Sequence, residues 1–171
     1  MAEKFLKFDD TLKALKEQEA TTTSSGASDA GKIVALATGG KLDPSLFPAG
    51  IGQEVYVFPA YENLNAGDFV NKFNDNGVAK VRKADATSIS KQAWGFVLEA
   101  VSAGSNATVY KRGANTQLSG LTPAAEYFLS TVAGQVTDTP PTQAGYIKQK
   151  LGDAQDESTL IVDIEPPMIR G

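Results

Sequence analysis

The sequence predicts a mainly β protein: an antiparallel β-sandwich or barrel domain, preceded by an N-terminal helix, a flexible linker and a short apolar segment. Three observations carry this prediction. About nine short strand-like runs recur between residues 54 and 165. Gly, Asn, Asp and Pro separate them at turn-like spacing. One run, Trp94-Gly95-Phe96-Val97-Leu98, is apolar on both faces, as a central strand must be.

Residues 1–20 read as one amphipathic helix. Phe5, Phe8, Leu12 and Leu15 follow a 3-4-3 spacing that aligns them on a helical stripe, with Leu6 beside it. Glu3 precedes Lys7, and Asp9 precedes Lys13, in the order that supports a helix. Two heptads are too few to hold a coiled coil alone in water, so the stripe needs another surface. That surface is either the helix's own domain or a docking partner. Residues 21–31, TTTSSGASDAG, carry one charge and no large apolar side chain. This is the composition of a flexible linker, with a reach of roughly 18 Å.

Residues 32–48 change character. A strand-like run over 32–36 is turned by Thr38-Gly39-Gly40-Lys41, and Pro44 suits the first position of a single helical turn. Ile33, Val34, Leu36, Leu42, Leu46 and Phe47 are too few for a core of their own. Something else must cover them.

The β domain occupies residues 49–171. Strands are expected at 54–58, 69–73, 78–82, 93–101, 107–111, 127–131, 135–137, 146–151 and 160–164. Asn76-Gly77 marks the hairpin between the second and third. Gly152 to Ser158 reads as the tip of the last hairpin, and Thr122-Pro123 starts one helical turn at most.

Composition narrows the function. Sixteen Lys and Arg against twenty Asp and Glu give a formal charge of −4, so no nucleic-acid partner is expected. With no Cys and no His, Ser-His-Asp and Cys-His catalysis are excluded, along with nearly all zinc hydrolases. No apolar run approaches the roughly 20 residues of a membrane-spanning helix, so no membrane partner is expected. The first twenty residues scatter their charges and lack the apolar centre of a secretory signal, so synthesis in the cytoplasm is the expectation.

Three motifs bear on chemistry. Gly26 to Lys32 has the G-x-x-x-x-G-K frame of a phosphate loop, but Ile33 stands where Ser or Thr must hold magnesium. No helix follows to present its amides. Asp153, Asp156, Glu157, Asp163 and Glu165 match no calcium-loop spacing and read as solvated acids. Trp94 reads as core, and Tyr56, Tyr61, Tyr110, Tyr127 and Tyr146 fall at alternating strand positions without marking a sugar platform. The chain is therefore not expected to be an enzyme, and no catalytic, cofactor-binding or metal residue is assigned.

Two stretches together resemble a known family. Asp29-Ala30-Gly31-Lys32-Ile33-Val34-Ala35-Leu36 with Gly40-Lys41-Leu42-Asp43-Pro44-Ser45-Leu46-Phe47-Pro48 is similar to a recurrent segment of tailed-bacteriophage fibre and head-decoration proteins. Gly67-Asp68-Phe69-Val70, Gly95-Phe96-Val97, Leu121-Thr122-Pro123, Tyr127-Phe128-Leu129-Ser130, Gly134-Gln135-Val136-Thr137, Pro140-Pro141 and the run from Gly145 to Gly152 resemble the small β domain that accompanies it. The resemblance implies a homotrimer on the exterior of the virion, bound to the major capsid protein. Residues 32–48 are then a trimerisation segment, with Ile33, Val34, Leu36, Leu42, Leu46 and Phe47 at the trimer interface. Phe5, Leu6, Phe8, Leu12 and Leu15 become the capsid anchor. Two other readings stay open. One is a short tail-fibre or lectin-like adaptor with host surface glycans as partners; the other is a carboxylate-based hydrolase.

Overall fold

The structure is a computed structural model that describes residues 4–47 and 54–171. Pro48, residues 49–53 and the expected Glu3–Lys7 pair lie outside the described residues. The chain divides into two compact units, Met1–Gly52 and Gln53–Gly171.

In the first unit the expected helix is corrected: residues 4–19 form a two-stranded antiparallel hairpin. Strand β1 (Lys4–Asp9) pairs with β2 (Ala14–Glu19), Lys4 opposite Glu19 and Asp9 opposite Ala14. The reason lies at the centre of the supposed helix. The Asp9 carboxylate accepts the Thr11 and Leu12 backbone N–H groups at 2.9 and 3.1 Å, and Lys13 turns the chain at φ 49°. An Asp side chain offers the backbone a turn in competition with the helical ladder, and here the turn wins.

Residues 21–31, expected as a flexible tether, hold a single 3₁₀ turn at Ala27–Asp29. Thr21 forms an isolated parallel bridge with Val34, and the Ser24 N–H donates to the Ser45 hydroxyl at 2.8 Å. The strand-like run over 32–36 makes only that one bridge, and a second 3₁₀ turn spans Pro44–Leu46.

The second unit is antiparallel β throughout its ladders, as expected. Strands β3 (Val55–Pro59), β4 (Phe69–Asp75), β5 (Val78–Lys83), β6 (Gly95–Phe96) and β7 (Asn106–Tyr110) build one sheet in the order β3-β7-β6-β4-β5. Beyond β3, Ala60 bridges to Val81 and the Tyr61 N–H donates to the Val81 carbonyl at 2.8 Å. The first and last strands are thereby joined, and the sheet curls around Ala60, Leu64, Val70, Val81, Val97, Ala107 and Val109.

Strands β8 (Arg112–Asn115), β9 (Glu126–Leu129), β10 (Val136–Thr137), β12 (Lys150–Ala154) and β13 (Leu160–Asp163) form the second sheet, ordered β10-β9-β12-β13-β8. A two-stranded ladder pairs β11 (Ile147–Lys148) with β14 (Met168–Ile169). Phe69 and Phe96 of the curled sheet meet Tyr127, Leu129, Leu151, Leu160 and Val162 of the second in the larger core.

The expected strand at 93–101 is central, but its ladder is only Gly95–Phe96. A Cβ on Gly95 would lie 2.6 Å from the Tyr110 carbonyl oxygen, so the apolar run crosses β7 too closely for a side chain there. The run at 146–151 is split between two ladders. Gly152 sits at φ 156° beside a register shift, where a Cβ would fall 2.0 Å from the Ile161 carbonyl oxygen.

The segment Ala84-Asp85-Ala86 stitches the two layers. Ala86 N–H donates to Ser130 at 2.8 Å, and the Ala86 carbonyl accepts Ile147 N–H at 2.9 Å. Asp85, buried between them, accepts both Thr87 donors and the Lys91 ammonium, the latter at 2.9 Å. Burial pushes the Asp85 pKa up, but these Thr87 and Lys91 interactions outweigh it, and the net shift is downward. A carboxylate depressed on folding contributes stability above its unfolded pKa of about 3.9 and loses it as pH falls through the lower folded value. Acid unfolding of Asp85→Asn should therefore show a shallower loss of stability below about pH 4 than the parent. Urea midpoints measured from pH 6 to pH 2 check this, and parallel profiles would refute it.

Candidate functional site

The hairpin redistributes the expected anchor residues. Successive side chains on a strand alternate faces, so Leu6 and Phe8 share one face of β1 while Phe5 lies on the other. Leu15 stands opposite Phe8 and Gln18 opposite Phe5, so Leu6, Phe8 and Leu15 gather on one face. Lys4 and Glu17 flank that group with a 2.8 Å ion pair. Leu12 sits in the turn. Leu6 is 67% and Leu15 66% exposed; Phe8 and Leu12 are also exposed, and Phe5 is half-buried.

The expected interface residues behave alike. Ile33, Val34, Leu36, Leu42 and Phe47 are exposed and Leu46 is half-buried. Pro44 aside, none of the described residues 4–47 is buried. A two-stranded hairpin without a packed face is marginal in water. This unit therefore presents apolar side chains that its own chain segment does not enclose.

The phosphate-loop frame has no helix behind it. Lys32, which would reach a phosphate, instead forms a 2.6 Å ion pair with Asp29. Three of the five carboxyl-end acids are likewise occupied locally. Asp153 shares Lys150 with Glu126, Asp163 faces Arg112 at 3.4 Å, and Asp156 accepts the Ser158 and Thr159 N–H groups of its own turn.

A constellation missed from the sequence lies on the curled sheet, between β3 and the start of β6. Tyr56 and Phe58, two residues apart on β3, project to the same face and meet Trp94 edge-on at 5.1 and 5.5 Å between ring centroids. Trp94 is half-buried and packs against the smaller core, rather than standing fully inside it. Two ammonium groups sit over its ring, Lys72 at 4.5 Å and Lys111 at 4.4 Å. Burial lowers the Lys111 pKa; Glu54 opposes that shift, and Lys72 and Arg112 add to it. The legible signal was Tyr56-Val57-Phe58, an alternation that gives one strand face two aromatics.

No protein-family model and no curated protein sequence matches the chain.

The two regions differ in what they offer chemically. The hairpin and residues 32–47 offer apolar area with balanced charge, suited to burial against another protein. The Trp94 cluster offers aromatic faces beside cations, suited to a small ligand that is apolar on one side and negative on another.

Proposed function

We propose that the chain is a structural protein of a tailed-phage particle, a trimeric decoration or head-fibre protein on the capsid exterior. In this reading the first unit attaches it to the major capsid protein and to its two sister copies, and the β domain is displayed outward. The observation that carries it is the unburied apolar set of residues 4–47, which needs cover from outside. The resemblance of residues 29–48 to segments of such proteins supports the same assignment. Each fully buried aliphatic or aromatic side chain contributes roughly 1.5–3 kcal/mol, so a few of them in three linked copies suffice for durable attachment.

The test is reconstitution on particles assembled without the chain. Purified protein should bind them to saturation. The double variant Leu6→Asp, Leu15→Asp should bind at least about tenfold more weakly, since two lost apolar contacts exceed 1.4 kcal/mol. Unchanged occupancy by the double variant would overturn the anchor assignment.

One observation favours the adaptor as a second reading. The Trp94 cluster gives the β domain an aromatic surface that the decoration role does not use. Purified protein binding directly to intact cells, with no affinity for particles, would favour the adaptor over decoration.

A further inference from the structure

Lys72 and Lys111 have no ion-pair partner among the described residues. Both ammonium groups lie within 4.5 Å of one indole centroid. Among the described residues no carboxylate stands within ion-pair distance of either, whereas Lys80, Lys83 and Lys91 each have one and Lys150 has two. Arg112 beside them is already paired with Asp163. Glu54 acts on Lys111 against Lys72 and Arg112, so the patch keeps a positive excess. Two cations over one ring, with no carboxylate in ion-pair contact, leave their charge open to an anion.

The rings supply the other half of a site. Tyr56 is 44% exposed and in contact with Trp94, and Phe58 continues the apolar surface toward the sheet. Trp94 stands at 65° and 82° to Tyr56 and Phe58 and carries the two ammonium groups over its own ring, so the exposed Tyr56 ring is the surface open to the flat C–H face of a pyranose, one that an ordinary inorganic anion would leave unused. A nucleic acid also stacks on rings, but it requires a basic track, and this chain carries a formal −4 with only these two uncompensated lysines in the patch.

We infer that Tyr56, Phe58, Trp94, Lys72 and Lys111 form a binding site for an acidic saccharide, its ring against the exposed Tyr56 and its carboxylate drawn to the ammonium groups. The site lies wholly in the β domain and holds whether the chain decorates a capsid or serves as an adaptor.

Trp94 is the chain's one tryptophan, so its emission reads the site without a label. The full-length protein is titrated with an oligogalacturonate, following tryptophan emission and, in parallel, the heat of binding by calorimetry. Saturable binding that weakens with added salt is the expected result. The fully methyl-esterified oligomer, inorganic phosphate and an oligothymidylate should each bind far more weakly. Lys72→Met and Lys111→Met keep the apolar stems and should each lower affinity about tenfold, the loss of one charge-assisted contact. Absence of binding by both readouts overturns the site. Equal binding of the methyl ester overturns the role of charge, and equal binding of phosphate reduces the site to a simple anion contact. Tighter binding of oligothymidylate overturns the saccharide assignment. These ligand-side comparisons use the unmodified protein, so they stand even if a lysine variant misfolds.

Discussion

Gln149→Leu should destabilise the β domain by about 3–5 kcal/mol, a large share of the roughly 5–15 kcal/mol that holds a domain together. Gln149 is 1% exposed, and its amide is the joint between three chain segments. Its oxygen accepts the Ala93 N–H at 2.8 Å, and its nitrogen donates to the Ala93 and Glu165 carbonyls at 3.0 and 3.1 Å. Leucine fills much the same volume but answers none of these groups. One buried N–H and two carbonyls lose their partner, at roughly 1–3 kcal/mol for each group left unsatisfied, less for the carbonyls. The variant's urea midpoint should fall sharply with the slope unchanged. Gln149→Glu sharpens the test. Its carboxylate cannot donate to two carbonyls, so it is held protonated in the fold and its pKa rises above the unfolded value near 4.3. That variant should be closest to the parent below about pH 4 and lose stability as pH rises toward 7. An unfolding free energy within about 0.5 kcal/mol of the parent's for the leucine variant would show that the joint is dispensable.

Gln149 also shows where reading the sequence stops. The run at 146–151 looks like one strand because Ile147 and Leu151 are apolar at the right spacing, yet it belongs to two ladders, divided where Gln149 turns inward to bond Ala93. A polar residue at a break between ladders looks in sequence like any solvent-facing position. The hairpin of β4 and β5 was fully legible because Asn76 and Gly77 both adopt positive φ, a local demand that only a few residue types meet. Strand β8 escaped because Arg112-Gly113-Ala114-Asn115 carries no strand signal; its ladder with β13 is imposed by the tertiary fold. The hairpin of β1 and β2 was misread for the opposite reason. Its 3-4-3 spacing is an accident of two strands and a turn, and the Asp9 carboxylate, not the periodicity, decides the backbone. The Trp94 cluster joins residues far apart in the chain, and only the curl of the sheet brings them together.

Removing residues 1–53 should abolish particle attachment completely while leaving the β domain folded. The remaining chain keeps both apolar cores, the Gln149 joint and the Lys111 N–H bond to the Glu54 carbonyl at 2.9 Å. The unfolding free energy of this domain, from urea titration, should accordingly stay within about 1 kcal/mol of its value in the full chain. The excised part carries Leu6, Phe8, Leu12, Leu15, Ile33, Val34, Leu36, Leu42 and Phe47, all exposed. In the decoration reading these contacts hold the three copies together as well as holding them to the capsid. Loss is then all-or-none, because three linked anchors bind by raising one another's effective concentration, and a monomer without an anchor gains nothing from that. Light scattering separates the two effects. The full chain should run at about 54 kDa, three copies of 18.0 kDa, and the shortened one as a monomer. A shortened chain that stays trimeric but no longer binds particles would move the trimer contacts into the β domain and leave residues 1–53 with the anchor alone. A shortened chain that still decorates at full occupancy would remove the physical basis for the capsid assignment, since the unburied apolar side chains of the first unit would then have no part in attachment.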